Sequence, residues 1–587
     1  MARSGAGVLA LCAAVALSAA AAVIGGMPDF RPALASPPQY LADPSPLPTL
    51  SATPSPAIVP SLAPPQPIYP PSPCPSEGCP SPSPCPSGCS PAPEASPAVP
   101  PSPVPVQVNP DSLLILLGHS QTARLLSPPS GLVTFSGYDD AIVRPVFNPL
   151  NRSVEVFGLH TGATKIVVTD MYGLNATLSA KVEVSAGKAY DWTSISITGH
   201  PATADFVAEM AASAARRVAY PLAGAVVSAD PSGVQDALEL QPDQTSIVRV
   251  PLEITGFGYF NFSTTVRVRV TNLAQPRVAP KYMLVSDFPE TITEDGTLFY
   301  GQVNFGEPAR LLYYHYAPPG APKRRILVKV QNNGTDSVLL DLTTGLAGPY
   351  TDILGVGHEC TRRYLVHDAL GEGEIYEVPP QATINVVDQP LPADNLIAGL
   401  MQMRVISGNG VRIAVVVQAA DASPVDPISE TLLSSAVKHS RGIYQVPEFF
   451  YDEAYTVGDQ PTYLEIGKLP LPNLVQGEVL GGDYGVKQSA DVSLLNPTGQ
   501  AADVGLWFEP RGGRATGTLL VDDAVVQLHP VEARKMALVR RFNVPAHGYR
   551  HVSIVTMPEG GSSYPVNLLF ASDPPPGAGW NISPAVH

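Results

Sequence analysis

The run His358-Glu359-Cys360-Thr361-Arg362 is the chain's nearest approach to a zinc-protease motif. That chemistry needs two imidazoles four residues apart on one helix, with the intervening Glu as general base. Arg362 stands where the second imidazole belongs, and His367 comes nine residues after His358. Gly355 and Gly357 disfavour a helix here, so the stretch reads as a turn without a metal. No G-x-S-x-G elbow and no Walker loop occurs. Gly481, Gly482 and Gly485 around Tyr484 read as a tight turn rather than a phosphate cradle. Carboxylates gather at Glu290 with Glu294 and Asp295, at Asp452 with Glu453, and at Asp522 with Asp523. Glycosidic chemistry needs two carboxylates facing one cleft, whereas neighbours in a strand or turn diverge, so these are expected to be solvated loops.

Two other groups have binding chemistry. On a strand, Tyr314 and Tyr316 share one face and Tyr313 and His315 the other, so exposed rings there could stack on a glycan or a partner protein. Cys74, Cys79, Cys85 and Cys89 form two near-copies, CPSEGC and CPSGC. Their spacing departs from paired CxxC ligands, so disulfides or crosslinks between chains, including self-association, are expected instead of a metal site. Cys360 is left over and reads as a buried thiol. No cofactor is expected.

The elements that would position these residues are mostly strands. Leu113 to Leu117, Val154 to Phe157, Gly162 to Asp170 and Thr177 to Val184 alternate or run apolar between turns. The line Val154-x-Val156-x-Gly158-x-x-x-Gly162-x-Thr164-x-Ile166-x-Val168-x-Asp170 resembles bacterial Ig-like modules, and similarly the small N-terminal domain of pilus-associated secretins. That resemblance implies an envelope-associated β-module and carries no catalytic residue. Thr203 and Asp205 start one amphipathic helix, with Phe206, Met210, Ala214 and Val218 on the face turned to Val266, Val268 and Val270. A second helix is expected from Ile428 to Lys438, burying Leu432, Leu433 and Val437. Ile326 to Leu342 and Val492 to Phe508 both read strand, Asn-led turn, strand, which marks an internal repeat of sandwiches.

Composition sets the outer limits. With 35 basic against 51 acidic residues and a net charge of -16, nucleic acid is excluded as a partner. Arg3, the apolar run from Val8 and the small residues at 18–22 read as a secretory signal, either cleaved or retained as an anchor. After cleavage no transmembrane helix remains. Many of the 66 prolines crowd between Pro37 and Pro110, a composition that favours an extended, disordered spacer. The expected order is signal peptide 1–22, Pro/Ser-rich spacer 23–105, Ig-like module 106–187, α+β module 188–277, β-sandwich 278–422, and a related sandwich 423–587 with a disordered C-terminal tail. The fold class is therefore mainly β, tandem Ig-like or β-sandwich modules with one small α+β module. The function expected is a non-catalytic exported surface or envelope protein that presents its β-sandwich modules for structural or adhesive, protein-interaction roles, with an envelope or surface protein, or a glycan, as partner. A secreted hydrolase, a carbohydrate-binding protein and an accessory part of a pilus or secretion apparatus are the alternatives.

Overall fold

The first described strands, in a computed structural model covering residues 105–127, 132–422, 428–475 and 477–572, already form a sandwich. The leader, the proline-rich stretch with its four cysteines and the tail from 573 lie outside the described residues. Two four-stranded sheets enclose Ile115, Val154, Val156, Ile166, Val168 and Leu178, all fully buried. The alternation at Leu178, Ala180 and Val182 is what turns one face of Asn175–Glu183 inward.

The next sheet has ten strands, and its hydrogen bonding crosses the expected boundaries at 277 and 422. Its order begins with Val226–Ser228, Thr245–Thr255, Phe262–Asn272 and Trp192–Thr198, then passes to Gly373–Val378 and Val338–Tyr350. It continues through Asn395–Ser407, Ala309–Ala317 and Tyr282–Ser286 to Arg441–Gln445. The join is the antiparallel pairing of Ser196 with Ile375 and Thr198 with Gly373. Helix α1, Ala204–Arg217, is capped by the Thr203 hydroxyl and lays Phe206, Val207 and Ala211 on Val266, Val268 and Val270. Arg267 and Arg269 point away to solvent, as alternation requires.

Two local expectations are corrected. Ile353–Leu370 is helix α2, so His358 to Arg362 are helical and not a turn. Asp352 accepts from the Leu354 amide at one end, and Gly371 closes the other in the left-handed conformation, φ 67°. The glycines that argued against a helix serve close packing. A Cβ on Gly357 would lie 1.7 Å from the Gly560 carbonyl oxygen, a contact whose loss outweighs the roughly 1 kcal/mol helix penalty of a glycine. Conversely, Ile428 to Lys438 contains no helix. The segment runs extended beside Gly296–Asn304, where the Leu433 amide donates to the Thr297 carbonyl at 2.8 Å and Arg441 caps the Leu433 carbonyl at 2.6 Å. Those partners replace the intrahelical bonds of a stretch too short to be stable alone, and Leu432 and Val437 are exposed rather than buried.

A four-stranded sheet, Gly296–Asn304, Gly410–Ala419, Arg324–Gln331 and Thr383–Leu391, covers one face of the long sheet around Leu311, Val328, Met401 and Ile413. The opposite face takes α2. The C-terminal sandwich pairs a five-stranded sheet with a four-stranded one over Phe508, Phe542 and Phe570. The two Asn-led turns are built alike. The Asn332 amide nitrogen donates to the carbonyls of Asp336, Val378 and Pro379, and that of Asn496 to Gln500, Val544 and Pro545. Each side-chain oxygen accepts an amide two residues on, from Gly334 and from Thr498. Both residues are buried, so truncation strands three carbonyls apiece. Asn332→Ala and Asn496→Ala should each destabilise the fold by about 2–3 kcal/mol, seen as an earlier midpoint in urea unfolding.

Candidate functional site

The strand Ala309–Ala317 is the organising element of the site. It pairs antiparallel with Asn395–Ser407 and parallel with Tyr282–Ser286, so it lies inside the ten-stranded sheet. Its residues alternate between two cores: Leu311 and Tyr313 face the four-stranded sheet, Leu312 and Tyr314 face α2 and the C-terminal sandwich. The exposed aromatic surface expected at Tyr313, Tyr314, His315 and Tyr316 is thereby corrected. Both faces of the strand are covered, and Tyr313, Tyr314 and His315 are buried. The Tyr313 hydroxyl donates to Gln389. His315 sits between the Ser286 hydroxyl at 3.2 Å and the Pro289 carbonyl at 3.0 Å, and burial pushes its pKa down to about 4. Tyr316, half-buried, donates to Asp394 at 2.8 Å.

Arg310 begins the Tyr314 face. It is fully buried and its guanidinium reaches the Tyr364 hydroxyl at 2.9 Å, the Pro447 carbonyl at 2.9 Å and Glu448 at 3.0 Å. Lys487 joins Glu448 at 2.8 Å and Asp368 at 3.1 Å. This network ties the long sheet, α2 and the C-terminal sandwich together.

Four residues further on, Tyr314 lines a cleft of about 420 Å³ where those three parts meet. Tyr484 lines it too, with its hydroxyl fixed on the Ser562 carbonyl at 2.7 Å, and Gly560 lies under the Tyr314 ring, where a Cβ would stand 3.0 Å from it. Asp287, Glu290, Lys438 and His439 complete the polar wall. The sheet register positions them. Ser286 pairs with Arg441, and the Asp287 amide donates to the Ser440 carbonyl at 3.1 Å, which brings His439 alongside. The Glu290 carbonyl is held by the Tyr316 amide at 2.8 Å. His439 Nδ1 lies 3.0 Å from Glu290 Oε2 and 3.7 Å from Asp287 Oδ2.

Burial pushes the Asp287 carboxyl up to about 6, with the Glu290 charge adding and His439 opposing. The neighbouring Asp287 and Glu290 carboxylates raise His439 above the usual imidazole value against its desolvation. Tyr314 is raised by burial, and the nearby carboxylates add to that.

Of the residues singled out in the sequence, the cleft brings together Tyr314, Glu290, Gly481 and Tyr484. Asp287 and His439 were not legible, because no spacing rule connects positions so far apart in the chain. Glu290's companion Asp295 instead binds Arg324 at 2.7 Å. The polar residues of α2 disperse. His358 meets the fully buried Glu559 at 3.0 Å, Cys360 is a buried free thiol donating to the Gly345 carbonyl at 3.2 Å, and His367 contacts the Thr344 carbonyl at 2.7 Å. The cysteine quartet lies outside the described residues. Among the described residues, no helix is long and apolar enough to cross a membrane.

No family profile and no curated protein matches the chain. Among solved structures it is similar to human mucin-like protocadherin EC1-2, at 10% identity over 29% of this chain and 98% of that one, TM-score 0.11. It is also similar to a Bacteroides ovatus protein, SGBP-B of a mixed-linkage glucan utilization locus in complex with a heptasaccharide, at 9% identity over 51% and 100%, TM-score 0.13. A carbohydrate-binding module of the β-sandwich superfamily gives 11% identity over 53% and 95%, TM-score 0.10. These overlaps are too remote to carry a ligand or partner across.

Arg310→Ala leaves Glu448 buried beside Lys487 alone and should cost about 3–5 kcal/mol, measured by chemical denaturation. A pH effect follows from His358. Burial works to lower its pKa, but the Glu559 hydrogen bond and charge outweigh it, so the net shift is upward. A histidine raised on folding gives stability that is complete below its unfolded pKa of about 6.5 and is lost as pH rises through the folded value. The melting temperature should therefore fall on alkaline titration above about pH 6.5, and His358→Gln should flatten that part of the profile.

Proposed function

We propose that this chain is a non-enzymatic, exported surface protein whose β-modules hold an oligosaccharide in the cleft of Tyr314, Tyr484, Asp287, Glu290, Lys438 and His439. The observation carrying this reading is the half-buried Tyr484 ring, with the buried Tyr314 ring as the floor beside it, facing a wall of carboxylates and cations in one cleft of about 420 Å³. Sugar C–H faces pack on aromatic rings, and sugar hydroxyls donate to carboxylates and accept from lysine and imidazole. Three features support a binding role over catalysis: His358, Cys360 and His367 face three different surroundings on α2, the Cys360 thiol is raised by burial, and His358 is engaged by Glu559. The apolar leader and the proline-rich stretch favour export and presentation away from a surface. The likeness of 106–187 to Ig-like and secretin N-terminal modules favours the cell envelope as the setting.

One observation favours a second reading, a glycoside hydrolase. Asp287 and Glu290 present oxygens within 4.8 Å of each other in the cleft, close to the carboxyl spacing of retaining enzymes. A single experiment separates the two. Isothermal titration of the full chain against a panel of neutral and acidic oligosaccharides should show one site, weakened at least tenfold by Tyr484→Ala. Chromatography of the same mixtures after long incubation should return the oligosaccharides intact. Cleavage products lost in Glu290→Gln would establish the hydrolase, and absence of binding across the panel with an intact fold would reject the glycan reading.

A further inference from the structure

The Asp287, Glu290 and His439 side chains converge more closely than binding a neutral sugar requires. Their ligand-capable atoms all lie within 4.8 Å of one another, with His439 Nδ1 at 3.0 Å from Glu290 and 3.7 Å from Asp287. Around a tetrahedral zinc ion, bonds of about 2.0–2.1 Å place ligand atoms roughly 3.3 Å apart, so small movements bring all three onto one ion. The side chains are 26–31% exposed, open enough for an ion to enter from the cleft.

A second, independent feature points to a cation at this site. Asp287 Oδ1 is buried and has no hydrogen-bond partner. A stranded carboxylate oxygen is costly unless something positive meets it. The two neighbouring cations are engaged elsewhere. Lys438 lies 4.7 Å from the Phe288 ring and Arg441 4.6 Å from it, and the Arg441 guanidinium also donates to the carbonyls of Phe288, Leu298 and Leu433. The remaining group is two carboxylates and one imidazole.

The ligands also sit on rigid supports. Asp287 and Glu290 flank Phe288–Pro289 at the end of Tyr282–Ser286, and His439 precedes Arg441–Gln445, the strand hydrogen-bonded to it. Such fixed spacing is what distinguishes a metal site from a solvated acidic loop.

We propose that Asp287, Glu290 and His439 bind a first-row divalent cation, zinc above calcium, through two carboxylates and one imidazole, with a fourth position open to the cleft. One imidazole nitrogen favours zinc, since calcium takes oxygen ligands. The inference concerns the cleft described above but does not require the ligand there to be a glycan.

The test is titration of the full chain with Zn²⁺ and with Ca²⁺ alone, with Cys12, Cys74, Cys79, Cys85 and Cys89 replaced by serine, which leaves the buried Cys360 as the one thiol. One zinc site is expected, weakened at least tenfold in both His439→Ala and Glu290→Gln. Cobalt substitution should give visible absorption bands of a tetrahedral nitrogen and oxygen site, lost in His439→Ala. If His439→Ala fails to fold by circular dichroism, Glu290→Gln and the cobalt spectrum of the parent chain decide. Absence of zinc binding, zinc binding indifferent to Glu290→Gln, or calcium binding without zinc would overturn the proposal. Because no oligosaccharide is present, that outcome leaves the glycan reading to its own experiment.

Discussion

A guanidinium removed from water must be met on all sides, and Arg310 is where this molecule satisfies that demand. The side chain has no exposure, and its partners come from three regions: Tyr364 of α2, Gln402 of the adjacent strand, and Pro447, Glu448 and Gly485 of the C-terminal sandwich. An apolar residue would have held these surfaces together at least as strongly, because desolvation offsets much of a buried ion pair's attraction. What the charge adds is position. Hydrogen bonds to named carbonyls fix where the sandwich docks, whereas apolar contact alone permits sliding. Arg310, Leu312 and Tyr314 share one strand face, so the docking point fixes the geometry of the cleft four residues along.

Glu559 repeats the device within the same seam. It has no exposure and is satisfied by His358 and Thr516, while Gly357 and Gly560 approach closely enough to exclude any side chain between them. The buried polar atoms and the glycines act together. The glycines permit contact at backbone distance, and the polar pair selects a single arrangement among those the contact allows.

How much of this could be read from the sequence depends on the range of the interaction involved. Local rules worked for α1, where cap, first-turn acid and apolar period all lie between Thr203 and Val218, and for the two Asn-led turns, whose residue types report their own hydrogen bonding. They failed for α2, because its glycines carry a local helix penalty that is outweighed only by contact with Gly560, two hundred residues away. They failed in the opposite sense for Ile428 to Lys438, whose backbone is satisfied by a neighbouring strand and by Arg441. The tyrosine cluster shows a third limit. Alternation assigned its two faces properly, but exposure depends on what covers each face, and both are covered in a sheet this wide. The cleft was legible only in pieces. Glu290, Tyr314 and Tyr484 each carried a local signal, while Asp287 and His439 acquire meaning only through the pairing of Ser286 with Arg441.

The origin of the cleft's walls has a thermodynamic consequence. Tyr314 belongs to the long sheet, Asp287 and Glu290 to the loop that follows its strand Tyr282–Ser286, His439 to the segment leading into its last strand, and Tyr484 and Gly560 to the C-terminal sandwich. No single module contains the site, so it exists only while the sandwich is docked. Anything that binds there binds the docked state alone and stabilises it by mass action, by an amount that grows with the logarithm of ligand concentration over the dissociation constant. The buried ion pairs and the ligand therefore act on the same equilibrium. Arg310 and Glu559 hold the surfaces in register before a ligand arrives, which reduces the ordering cost that the ligand would otherwise have to meet.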